Sequence, residues 1–205
     1  MFLPRGDFWR LSTASVLLAV MVALIGRSAL ADPPAQGPPR YDFGMGGSGD
    51  RALRSAKAQL RASLNDLDSV HQFQIIFYNE RPRIFNPTGQ AGRLAFANAT
   101  NKGAAQRFID SLEAEGGTRH DDAVAMAIRL HPDVIYWLTD ADEPKLGPRD
   151  IARISRLAAG IAIHTIEFGS GPSADADNFL VQIARETGGR HVYVDVSQKA
   201  GAERQ

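Results

Sequence analysis

Apolar residues recur along the chain in two rhythms, one helical and one strand-like. After Asp50, a fitting N-cap, Leu53, Ala56, Leu60, Leu64 and Leu67 return at helical spacing, with Arg51, Arg54, Lys57 and Arg61 on the other side. This predicts an amphipathic helix laid over a sheet. Phe73 to Tyr78 predicts a strand, and Arg83 to Phe85 a short one across the turn at Asn79 to Pro82, with neighbouring prolines that suit a sheet edge. Gly89 to Ala99 reads as irregular. Ala105, Phe108, Ile109 and Leu112 then mark a helix from near Asn101, and Gly116-Gly117-Thr118 breaks the chain before a third helix, Arg119 to Leu130, stopped by Pro132.

The next run, Val134-Ile135-Tyr136-Trp137-Leu138, is apolar throughout and reads as a strand buried on both faces. Pro148 opens a fourth helix with Ile151, Ile154, Leu157 and Ala158 inward, ended by Gly160. Ile161 to Phe168 is a strand, Asp177 to Thr187 a helix closed by Gly188-Gly189, and His191 to Val194 a last strand. Strands alternating with helices predict an α/β fold: a doubly wound, mostly parallel sheet with helices on both faces. In such sheets ligands gather at the carboxyl ends of the strands. Asp140 and Asp142 follow the buried run directly, and Thr118 heads a helix whose start belongs to the same edge.

The 205 residues fit one domain with extensions. Arg5 and Arg10 precede an apolar core, Val16 to Gly26, and Ala29-Leu30-Ala31 gives a small-x-small cleavage pattern, so residues 1–31 read as a secretory signal cut before Asp32. The alternative is an uncleaved anchor, with residues 11–30 as a membrane tether. Either way the remainder is expected outside the cytoplasm, as periplasmic, secreted or membrane-anchored protein. Residues 32–44 form a Pro/Gly-rich linker, 45–196 the domain, and 197–205 a polar tail. Lys+Arg and Asp+Glu both number 23, without a basic block, so nucleic acid is not an expected partner. The lack of cysteine excludes disulfides, thiolate catalysis and cysteine metal sites.

From about Met45 to Val196, the helix order, Gly116-Gly117-Thr118 and Leu138-Thr139-Asp140-Ala141-Asp142-Glu143-Pro144 resemble the von Willebrand factor type A domain, particularly the forms in bacterial exported proteins. The resemblance implies a protein-binding module with a metal-ion-dependent adhesion site at the carboxyl edge. That site is made of an Asp-x-Ser-x-Ser loop after the first strand, a Thr heading the third helix and an Asp after the next core strand. Its oxygen ligands suit Mg²⁺. Thr118 and Asp140 match the last two elements. The first departs from the pattern, because the first helix is preceded by Pro38-Pro39-Arg40-Tyr41-Asp42-Phe43-Gly44-Met45-Gly46-Gly47-Ser48-Gly49, with neither the apolar strand nor the serine pair. Asp42 is the candidate stand-in for the loop aspartate. The expectation is therefore a first central strand truncated or absent, with Arg40 to Met45 as a short substitute, and Mg²⁺ bound weakly or not at all.

Each site residue has a plainer reading. Thr118 with Asp121 fits a helix cap, Asp140 an exposed loop carboxylate, and Asp121 and Asp122 a favourable charge at a helix start. His71, His131, His164 and His191 form no recognisable pair, and His120 lacks a second histidine at ligand spacing. Gly46-Gly47-Ser48-Gly49 lacks the Lys-Ser/Thr of a phosphate loop. The leading expectation is a non-enzymatic module for a protein partner. The alternatives are a metal-dependent glycosyl or phosphoryl transferase built on Asp140-x-Asp142, and a decayed domain without independent function.

Overall fold

The computed structural model of the chain describes residues 18–24, 48–78, 83–89, 92–113, 120–139, 145–172 and 177–197. The leucine stripe forms α1 (Ser48–Asp66) and buries Leu53, Ala56, Leu60 and Leu64, with Leu67 just beyond its end. The helix begins at Ser48, so Asp50 stands inside its first turn rather than at the cap. The strands are β1 (Leu18–Leu24), β2 (Gln72–Tyr78), β3 (Arg83–Ile84), β4 (Ala95–Phe96), β5 (Val134–Thr139), β6 (Ala162–Gly169) and β7 (His191–Asp195). The other helices are α2 (Ala99–Asp110), α3 (His120–Ile128), α4 (Pro148–Leu157) and α5 (Phe179–Glu186).

Two apolar layers sandwich the sheet. On one face Leu60, Leu64, Ala105 and Ile109 of α1 and α2 meet Phe73, Ile75, Phe77 and Leu138. On the other, Val124, Ala127, Ile151, Ile154, Leu180 and Ile183 of α3, α4 and α5 meet Ile76, Ile135, Trp137 and Ile163. Alternate residues of β2 and β5 thus enter opposite layers, as strands covered on both sides do. Leu157 is the exception to the expected inward stripe and is 52% exposed. At 100° per residue it stands at the margin of the face set by Ile151, Ile154 and Ala158.

The strand order is β3-β2-β1-β5-β6-β7, with β4 also beside β2. β5, β6 and β7 are mutually parallel. The central place, expected to be empty or filled by Arg40 to Met45, is occupied by Leu18–Leu24, which pairs antiparallel with both β2 and β5. It runs from Leu18 opposite Tyr78 to Leu24 opposite Gln72, and from Ala19 opposite Leu138 to Ala23 opposite Val134. β2, β5, β6 and β7 therefore point one way, as the expected α/β sheet requires, and β1, β3 and β4 run against them. The physical reason is pairing. The facing edges of β2 and β5 lie between two apolar layers, where an unpaired amide or carbonyl is costly, and an antiparallel strand satisfies them as well as a parallel one. Residues 40–45 lie outside the described residues, as do the rest of 1–31 and the linker. Among the described residues, no helix is long and apolar enough to cross a membrane.

The close of α5 sets how tightly β6 and β7 approach. Gly188 takes φ 74, and the Gly189 amide donates to Ala184 O at 2.8 Å. A Cβ on Gly189 would run into the carbonyl oxygen of Ile163 in β6. Backbone cannot yield there as a flexible side chain would. Gly189→Ala is expected to cost about 1–3 kcal/mol, read from the midpoint of urea unfolding. Ser55 gives the opposite case: it is buried in α1 and its hydroxyl has no hydrogen-bond partner. Ser55→Ala should raise stability by roughly 1 kcal/mol in the same assay, and a loss would show that the hydroxyl is satisfied in solution.

Candidate functional site

The carboxyl edge is formed by the ends of β2, β5, β6 and β7, at Tyr78, Thr139, Gly169 and Asp195. Register places Thr139 beside Glu167 and Gly169 beside Asp195. Thr139 is fully buried, so the strand is still inside the core one residue before Asp140. The Tyr78 hydroxyl donates to Asp122 Oδ2 at 3.5 Å, which brings the first turn of α3 to this edge. Thr118, Asp140 and Asp42, the three expected metal ligands, lie outside the described residues, as do Asp142 and Glu143. Their neighbours in sequence bracket the edge: Thr139 ends β5, and α3 starts two residues after Thr118.

The described part of the edge is a polar network between β6, β7 and the start of α5. Asn178 caps α5, its Oδ1 accepting from the amides of Leu180 at 2.9 Å and Val181 at 3.2 Å. Its Nδ2 donates to Glu167 Oε2 at 2.7 Å, and His191 Nε2 lies 3.3 Å from the same oxygen. His191 Nδ1 is 3.0 Å from Thr165 Oγ1, whose hydroxyl donates to Leu180 O at 3.2 Å. A hydroxyl, an imidazole and a carboxylate in line suggest a nucleophilic relay. Thr165 is fully buried, however, and its proton is committed to a backbone carbonyl, so the chain of contacts fixes structure rather than activating an attacking oxygen.

A second set of bonds ties the turn after β6 to the end of β7. Asp195 Oδ1 accepts from the Gly171 amide at 2.9 Å and from the Ser197 amide at 2.8 Å and hydroxyl at 2.6 Å. The Tyr193 hydroxyl donates to Gly171 O at 2.8 Å. Its ring crosses Gly169, where a Cβ would displace it from this position. Burial, then the charges of Asp195 and Glu167, push the Tyr193 hydroxyl above its ordinary pKa and keep it a donor. Glu167 Oε2 and Asp195 Oδ1 are thus spent on holding the scaffold. Among the described residues no group of three His, Cys, Asp or Glu could hold a metal ion.

Sequence reasoning missed Glu167, Asn178, His191 and Asp195 as a unit. Only the cap was open to it, since an Asn directly before an apolar helical run is a common start signal, and the helix was expected two residues earlier, from Asp177. The other contacts depend on β6–β7 register. His164, likewise read as isolated, stacks on Tyr136 with centroids 5.1 Å apart and accepts from the Arg190 amide at 3.0 Å through Nδ1.

Burial, and for His164 also the Arg190 charge, hold His164 and His191 below the usual histidine pKa, with Glu167 partly opposing the shift at His191. The unfolded chain then binds more protons than the folded one as pH falls through about 6.5, so stability must fall with it. Urea unfolding at pH 7.5 and pH 5.5 should give the lower midpoint at pH 5.5, with a smaller difference in His164→Asn. An equal difference in that variant would assign the effect to other groups.

No family model matches the chain. It is similar to human inter-alpha-trypsin inhibitor heavy chain H4, 28% identical over 170 residues, which cover 73% of this chain and 17% of that protein. The chain therefore spans a small part of this curated relative. Among solved structures it is similar to a von Willebrand factor type A protein from Catenulispora acidiphila, with a TM-score of 0.56 and 18% identity over 72% of this chain and 36% of that one. A conserved hypothetical protein, BatB from Bacteroides thetaiotaomicron, gives a TM-score of 0.48 and 15% identity over 70% of this chain and 80% of that one.

Proposed function

From the von Willebrand factor type A fold that this chain has, we propose that it is a non-enzymatic module that binds a protein partner through the carboxyl edge of its sheet. The observation that carries this reading is the end of β5, whose buried run closes at Thr139 and delivers Asp140-Ala141-Asp142 to the chain at that edge. An acidic sequence that follows a buried strand directly is suited to recognising basic or metal-bridged groups on a partner. Thr118, Asp140 and Asp42 would supply too few oxygens for the octahedral shell of Mg²⁺, leaving the rest to water, so any ion held there is weak. Export, as secreted, periplasmic or membrane-tethered protein, is the part of the reading carried by the sequence of residues 1–31 alone.

Thermal unfolding of the full chain with Mg²⁺, with Mn²⁺ and with chelator tests the metal. A ligand that binds only the folded state raises the midpoint by mass action, so millimolar metal should shift it by a degree or two at most, and Asp140→Ala should abolish the shift. A large shift would mean a complete site. For recognition, affinity capture with the wild-type chain should retain a partner that Asp140→Ala/Asp142→Ala loses by about tenfold or more. Turnover of a nucleotide sugar or phosphate ester, lost in Asp140→Asn, would replace this proposal with the transferase reading.

A further inference from the structure

The direction of β1 is unusual for the place it fills. β2 and β5, on either side, run parallel to one another, and a strand leading directly into α1 would share their direction. Leu18–Leu24 enters from the other side. Leu18 stands at the carboxyl edge, opposite Tyr78, and Leu24 at the far edge, opposite Gln72. α1 leads through residues 67–71 into Gln72 and so begins at the carboxyl edge, the edge opposite the one at which Leu24 stands. The segment that fills the gap is the core of the run that reads as an export signal, Val16 to Gly26.

The two roles draw on the same chemistry. A leader core and a strand buried on both faces are each short, uncharged apolar runs, so Val-Leu-Leu-Ala-Val-Met-Val-Ala-Leu serves either. One molecule cannot serve both at once. We propose that in the folded full-length chain Leu18–Leu24 is a seated central strand, and that folding withdraws the leader-like segment from the membrane and from cleavage before Asp32. The paired register along the whole of β2 and most of β5 supports this, as does the cost of the alternative, two facing edges left unpaired between apolar layers. Export and folding then compete for one segment, and the order in which they act decides which form of the chain exists. This inference stands apart from the partner and metal readings, and for the folded chain it replaces the reading of export with cleavage before Asp32.

The chain has no cysteine, so a pair of introduced cysteines reports on the register without interference. Met21 lies opposite Tyr136, while Val20 is one residue out of register with it. Under mild oxidation the full chain carrying Met21→Cys/Tyr136→Cys should form an intramolecular bridge at least about tenfold faster than Val20→Cys/Tyr136→Cys, since bridging tolerates only a narrow range of Cα separation. Should the substituted chains fail to fold, amide hydrogen exchange on the unsubstituted full chain decides. The amides of Leu18–Leu24 should exchange at least about a hundredfold more slowly than in a free peptide of that sequence. A bridge found only in dimers would place a second copy's strand in the gap and overturn the proposal. So would unprotected Leu18–Leu24 amides beside protected β2 and β5, or folded protein from cells whose first residue is Asp32.

Discussion

Everything in this sheet depends on satisfying the backbone groups of β2 and β5 that face each other across its middle. Both strands are covered by apolar layers, so each of those amides and carbonyls left unpaired would carry a desolvation cost. A chain that lacks the expected first strand must supply pairing from somewhere else. Leu18–Leu24 supplies it, and the sheet accepts a strand of the opposite direction because hydrogen bonding constrains spacing and alternation more than polarity. With the middle closed, α1 and α2 can pack on one face, and α3, α4 and α5 on the other.

The elements on either side of this closure were legible in the sequence because their periodicities are strong. The leucines of α1, the apolar runs of β2 and β5 and the Pro148 and Gly188 boundaries appear where they were expected. Layering on both faces followed from the alternation of types. The role of Leu18–Leu24 was not legible. A short apolar run reads alike as a leader core, a bilayer segment or a buried strand, and which one it becomes depends on a vacancy elsewhere in the chain. The antiparallel entry of β1 was hidden for the same reason, since no local pattern encodes strand direction.

The site was legible in part. That the strand before Asp140-Ala141-Asp142 is buried and ends at Thr139 could be read from its unbroken apolar run. The network of Glu167, Asn178, His191 and Asp195 could not, because these residues meet only through the β6–β7 register and the seating of α5. His191 and His164 looked isolated in sequence for the same reason. Neither belongs to a spaced motif, yet each finds partners on a neighbouring strand or in the segment leading into it.

The reversed entry of β1 also fixes where the polypeptide leaves the fold. Leu18 stands beside Tyr78, and β7 ends beside Gly169, so both the segment before Leu18 and the segment after Asp195 depart from the carboxyl edge, where Asp140 follows β5. A fusion partner, affinity tag or surface linkage before Leu18 or after Asp195 would crowd that edge. The turn from Asp68 to His71 is at the opposite end of the sheet, with Val70 75% exposed. That turn is where a label or immobilising group would leave the carboxyl edge open.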